Sequence, residues 1–287
     1  MLTNASTHHY SLHHIVCCAK KAYLRRKYDR MEILIGLTIP MLGTMLGASM
    51  VLLLRDRISQ ITNNAMLGFA SGIMVAASFW SLLQPALEQS GEGLTNNWPV
   101  FAGFIAGMAF LLLLDTFIPH QHADGKAAEG PKSSLSRSTK MILAVALHNI
   151  PEGMAVGVVL AGVMNGDASL TVAGSFALSI GMAIQNIPEG AIISIPLRGE
   201  GKSKSKAFLM GALSGLVEPI AAVATILFLG NNTGSMPLLL AFAAGAMLYV
   251  VVEELIPSSQ QGKHSNVGTI SFAAGFCIMM VLDTVMG

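Results

Sequence analysis

Two short runs in this chain set ionisable, amide and proline residues inside long apolar stretches. They are His148-Asn149-Ile150-Pro151-Glu152-Gly153 and Gln185-Asn186-Ile187-Pro188-Glu189-Gly190. Hydrocarbon solvates such groups poorly, so an ionisable residue inside a membrane helix marks a functional site. On a helix, His148 and Glu152 share a face four residues apart, and Asn149 and Glu152 lie on a neighbouring stripe. Gln185, Asn186 and Glu189 repeat the pattern. Pro151 and Pro188 donate no backbone hydrogen bond, which frees the carbonyls of Leu147 and Ile184 or kinks both helices. Glu218-Pro219 adds a third acidic-proline pair. The set holds an imidazole, carboxylates and amides. Carboxylates supply the charge that desolvating a divalent cation demands, and imidazole tilts the set towards first-row transition metals over calcium or magnesium. The donors exceed the usual four of one zinc ion, as a two-metal site or a single site with spare ligands for transfer would require.

These residues need a scaffold that can hold them in lipid. The chain is 53% hydrophobic and 11% charged, against ~25% charged in an average soluble domain. Its apolar residues fall into eight spans, at about 32–54, 65–87, 98–118, 141–164, 170–197, 206–229, 236–257 and 266–286. The runs are continuous and do not alternate at period two, so they read as helices and not as barrel strands. The expectation is an all-α polytopic membrane protein with eight transmembrane helices. A rise of ~1.5 Å per residue brings both motifs and Glu218 near mid-depth, with spans four and five antiparallel. Met74 in span two reaches a similar depth, but in a chain with 18 methionines its chemistry alone reads as packing.

Loop charge sets the orientation. The loops after spans one, three, five and seven carry eleven basic residues, from Arg55 to Lys263, and those after spans two, four and six carry none. The positive-inside rule then places the odd loops in the cytoplasm and both termini outside. Residues 119–139 form the longest connection, a flexible cytoplasmic loop opened by His120 and His122. Residues 1–30 differ from the rest: they are basic, contain four histidines and read as a disordered extension, with Met31 an alternative start. The remaining segment, 31–287, is one eight-helix domain. Cys17, Cys18 and Cys277 fit neither a disulfide framework nor a zinc knuckle.

Further acidic residues are spaced along a transmembrane route. Asp115 and the Glu253-Glu254 pair lie near the cytoplasmic ends of spans three and seven, and Glu88 and Asp283 lie towards the outside. Acidic residues distributed in this way read as a cation path.

The paired motifs resemble those of the ZIP family of divalent metal transporters, above all its bacterial GufA-like branch, and the likeness covers essentially all of residues 31–287. The resemblance implies a 3+2+3 inverted-repeat bundle, often a homodimer, with a binuclear mid-membrane site. That site maps onto His148, Asn149, Glu152, Gln185, Asn186, Glu189 and Glu218, with Met74 at the position of a thioether ligand. It further implies a release route through Asp115, His120, His122 and Glu254, and an entrance at Glu88 and Asp283. Asn186 is a carboxylate in some relatives, where the second metal is held more strongly.

The expected function is uptake of zinc across the cell membrane into the cytoplasm, with iron, manganese or cadmium as further substrates. The metal is cargo; no cofactor and no nucleic-acid partner is expected. An intramembrane metalloenzyme is the alternative from another class, but His-Glu-x-x-His and repeated histidine boxes are missing from the sequence, and no enzyme is expected. A proton-coupled carrier of another solute would use the same carboxylates as relays.

Overall fold

The computed structural model describes residues 31–53, 58–120, 130–230, 233–263 and 265–286. The extension 1–30 and His122 lie outside the described residues. Backbone contacts divide the chain into Met1–Ile35 and Gly36–Gly287, and the second unit holds the helix contacts and both polar motifs. Every regular element among the described residues is helical.

Eight helices among the described residues are long and apolar enough to cross a membrane. They are α1 (Met31–Leu53), α2 (Gln60–Ser90), α3 (Leu94–Phe117), α4 (Arg137–Asn165), α5 (Val172–Gly199), α6 (Lys204–Leu229), α7 (Met236–Ser259) and α8 (Val267–Met286). The chain is a multi-pass membrane protein. Four helices begin on a hydroxyl cap: Ser59, Ser136, Thr171 and Ser203 accept from the backbone N–H of Thr62, Thr139, Gly174 and Lys206. Such caps satisfy donors that the first helical turn leaves unpaired. They start α2, α4, α5 and α6 at defined residues.

Proline acts differently from helix to helix. α4 and α5 run on as α-helix through Pro151 and Pro188. By contrast, α2 opens into a π-helical segment at Ser78–Leu83, just ahead of Pro85, and α7 does so at Val251–Leu255, just ahead of Pro257. Each proline removes the N–H that would reach the carbonyl four residues back, and an extra residue in the turn accommodates the loss. In α6 the helix breaks at Gly215-Leu216, where Pro219 cannot bond the Gly215 carbonyl. The N–H of Glu218 bonds it instead, which seats Glu218 in the first turn after the break.

Four helix pairs meet at glycine. Gly72 of α2 lies against the Phe272 carbonyl of α8, and Gly107 of α3 against that of Phe242 in α7. Gly153 of α4 faces the Glu218 carbonyl of α6, and Gly190 of α5 faces the Thr44 carbonyl of α1. A Cβ at any of these positions would collide with backbone, so glycine sets how closely the helices pack. Gly153 and Gly190 close the two polar motifs. The residues next to the site therefore fix the distance of α4 from α6 and of α5 from α1.

Candidate metal centre

The motif side chains meet inside this packing. Asn149, Glu152, Gln185 and Asn186 have no solvent exposure, and His148, Glu189 and Glu218 are also buried. The amide nitrogens are spent on hydrogen bonds, some to neighbouring backbone and some within the cluster. Asn149 Nδ2 donates to the Ser214 carbonyl and to Glu218 Oε1, each at 3.2 Å. Asn186 Nδ2 donates to the Pro40 carbonyl at 3.3 Å. Gln185 Nε2 donates to Asn186 Oδ1 at 2.7 Å.

The oxygens are left over. Asn149 Oδ1, both carboxylate oxygens of Glu152, Gln185 Oε1, Glu189 Oε2 and Glu218 Oε2 are buried without a hydrogen-bond partner. Gln185, Asn186 and Glu189 crowd the Glu152 carboxyl, and Glu189 in turn neighbours Glu152, Glu218 and Glu254. Burying one such acceptor unpaired costs about 1–3 kcal/mol, more for a charged group. Six in one place form a receptor for positive charge. Among the described residues no three His, Cys, Asp or Glu side chains converge on a single point. The acids are interleaved with amides, so the donor set is mixed oxygen with one imidazole, suited to a divalent cation.

Glu254 lies closer to the cluster than its place in the sequence suggests. His148 Nε2 is 2.9 Å from Glu254 Oε2. Glu254 lies in the π-helical turn of α7, and such turns occur often at functional sites. Met74 is fully buried on α2, which packs against α5.

At one end of the bundle, Asp115 and His120 form a pair, with His120 Nε2 2.8 Å from Asp115 Oδ1. His120 Nδ1 meets the Ile118 carbonyl at 2.7 Å, and the Tyr249 hydroxyl donates to Asp115 Oδ2 at 3.2 Å. Glu88 and Asp283 share the wall of a separate cavity of about 380 Å³, with Ser81, Ser169, Thr171 and Ser175. Ser81 Oγ donates to Asp283 Oδ1 at 2.8 Å, and Asp283 Oδ2 is buried without a partner.

Thr44 and Tyr249 escaped the reading of the sequence. Thr44 Oγ1 donates to Glu218 Oε1 at 3.0 Å. No spacing betrays it, because the partners are 174 residues apart.

A profile of the family described as ZIP Zinc transporter matches residues 119–283. Zinc transporter ZIPB of Bordetella bronchiseptica is 38% identical over 250 residues, covering 85% of this chain and 78% of the relative. Zinc transporter GufA of Myxococcus xanthus is 37% identical over 250 residues, covering 85% of this chain and 95% of the relative. Zinc transporter ZIP11 of Homo sapiens is 34% identical over 323 residues, covering 85% and 94%. The profile takes in both buried motifs and Glu218, the relatives extend the likeness over most of the chain, and the protein belongs to the ZIP zinc transporter family.

Proposed function

We propose that the protein carries zinc, and with it iron, manganese or cadmium, across the cell membrane into the cytoplasm. The observation that carries this reading is the cluster of buried oxygens without partners on α4, α5 and α6. In this reading His148, Gln185, Glu152 and Glu189 hold one cation, and Asn149, Asn186 and Glu218 form a second subsite that shares the Glu152 and Glu189 carboxylates. Met74 offers a thioether at the edge of the set. Zinc tolerates such mixed shells because it has no geometric preference from its d-electrons.

The cation enters past Glu88 and Asp283, where the polar cavity supports stepwise loss of its water. It leaves through Glu254, Asp115, His120 and His122. A helix bundle carrying the site exposes it to each side in turn, the elevator-like motion that the family resemblance implies. The 3+2+3 inverted repeat belongs to the same reading. Its support is a matched pair of contacts: Asn149 reaches Ser214 as Asn186 reaches Pro40. The two acceptors are separated by the same 174 residues as Thr44 and Glu218. Repeats related in this way let one packing arrangement serve two conformations.

Both termini lie outside, and the protein works as a carrier and not as an enzyme, in the homodimer that the family resemblance implies. The test is flux into proteoliposomes across zinc, iron, manganese, cadmium and calcium, with and without a pH gradient. Accumulation of zinc against calcium supports the reading. A protein that moves none of these cations refutes it.

A further inference from the structure

We infer that Thr44 is a specificity-determining positioning residue that restricts Glu218 to binding the transported cation through one oxygen. The inference rests on the reading of Glu218 as a ligand and goes beyond it.

Thr44 lies on α1 with no solvent exposure. Its hydroxyl donates to Glu218 Oε1 at 3.0 Å, and Asn149 Nδ2 donates to the same oxygen at 3.2 Å. A carboxylate oxygen has roughly two acceptor sites, so two donors fill Oε1. Oε2, buried and without a partner, is the one that stays open. The threonine is itself held in place: its Cβ, Oγ1 and Cγ2 pack on Gly215 at the break in α6, and its carbonyl lies on Gly190 of α5. Turning the side chain about χ1 would disturb its packing on Gly215, while the carbonyl contact on Gly190 fixes the backbone that carries it.

Carboxylates bind in two ways. Calcium-sized cations gain from bidentate carboxylates in shells of ~6–8 oxygens, whereas zinc is satisfied by ~4 short bonds. Tying down Oε1 removes the bidentate mode at Glu218 and so selects against larger ions. Thr44 touches no cation. It acts through the geometry of Glu218.

The test compares T44V, which keeps the shape and loses the donor, with T44S, which keeps the donor, in proteoliposome flux and in zinc titration of purified protein. T44V is expected to raise the KM for zinc by ~10-fold, the scale of one hydrogen bond to a charged group, with Vmax little changed. Cadmium and calcium should then compete better against zinc, and T44S should stay close to wild type. Thr44→Ala repeats the test without placing a methyl group against the carboxylate. An unchanged zinc KM and unchanged competition in T44V would overturn the role of Thr44, as would equal losses in T44S and T44V. Glu218→Gln runs alongside. Full zinc flux in that variant would overturn the ligand reading and this inference together, whereas its loss with T44V unaffected would overturn the role of Thr44 alone.

Discussion

His148 Nε2 lies 2.9 Å from Glu254 Oε2, a contact that ties α4 to the π-helical turn of α7. Two groups that face one cation should not act independently. His148→Ala and Glu254→Gln are each expected to weaken zinc binding, and the double variant to lose less than the sum. The coupling should fall between about 0.5 and 3 kcal/mol, as for residues in one ion-pair network. Zinc titrations of the four proteins measure it, and strict additivity would separate the two residues.

Glu152 has both carboxylate oxygens buried without a hydrogen-bond partner. Replacing it with Gln removes a charge that the metal-free fold holds at a cost. The apo protein should become more stable, with the unfolding midpoint rising by about 2–4 °C per kcal/mol. The extra stabilisation by added zinc should vanish. Thermal unfolding with and without zinc reads both effects, and a drop in apo stability would contradict the strain assigned to this carboxyl.

Asn186 donates through Nδ2 to the Pro40 carbonyl and accepts from Gln185. Asn186→Asp would set a second acceptor against that carbonyl, at a cost of about 1–3 kcal/mol in the absence of metal. With zinc present, the added charge should strengthen the second subsite. Titration stoichiometry should move towards two ions per chain. A variant as stable as wild type without metal and unaltered in stoichiometry would refute the arrangement.

Gly153 and Gly190 are points where backbones touch. Gly153→Ala should push α4 from α6 and pull Asn149 off Glu218. Gly190→Ala should separate α5 from α1. Each is expected to cost about 1–3 kcal/mol of stability by overpacking and to weaken zinc binding as well. Unfolding midpoints and zinc titrations check the pair.

Orientation is open to labelling. With Cys17, Cys18 and Cys277 replaced by Ser, a cysteine placed at Ser134 should react with an impermeant reagent only from the cytoplasmic side. One placed at Ala168, in the connection after α4, should react only from outside. The reverse pattern would invert the topology drawn from Arg and Lys in the odd loops.

The span pattern and the two motifs were legible in the sequence because both are local. Continuous apolar runs report helices, and a carboxylate four residues from a histidine reports a shared face. The π-helical turns ahead of Pro85 and Pro257 were not legible, because a proline signals a lost backbone bond and not how the helix absorbs it. Glu254, placed by its depth near the cytoplasmic end, stands in such a turn and meets His148 at 2.9 Å. Thr44 and Tyr249 were invisible for another reason. Each makes a lateral hydrogen bond to a helix far away in the chain, and no spacing rule records that.

The buried oxygens of α4, α5 and α6 are assigned to the cation that crosses the membrane. Radioactive zinc uptake into proteoliposomes, wild type beside Glu152→Gln at equal protein density, tests that assignment most directly. Saturable uptake by the wild type with none above protein-free liposomes in the variant is expected; full uptake by Glu152→Gln would contradict it.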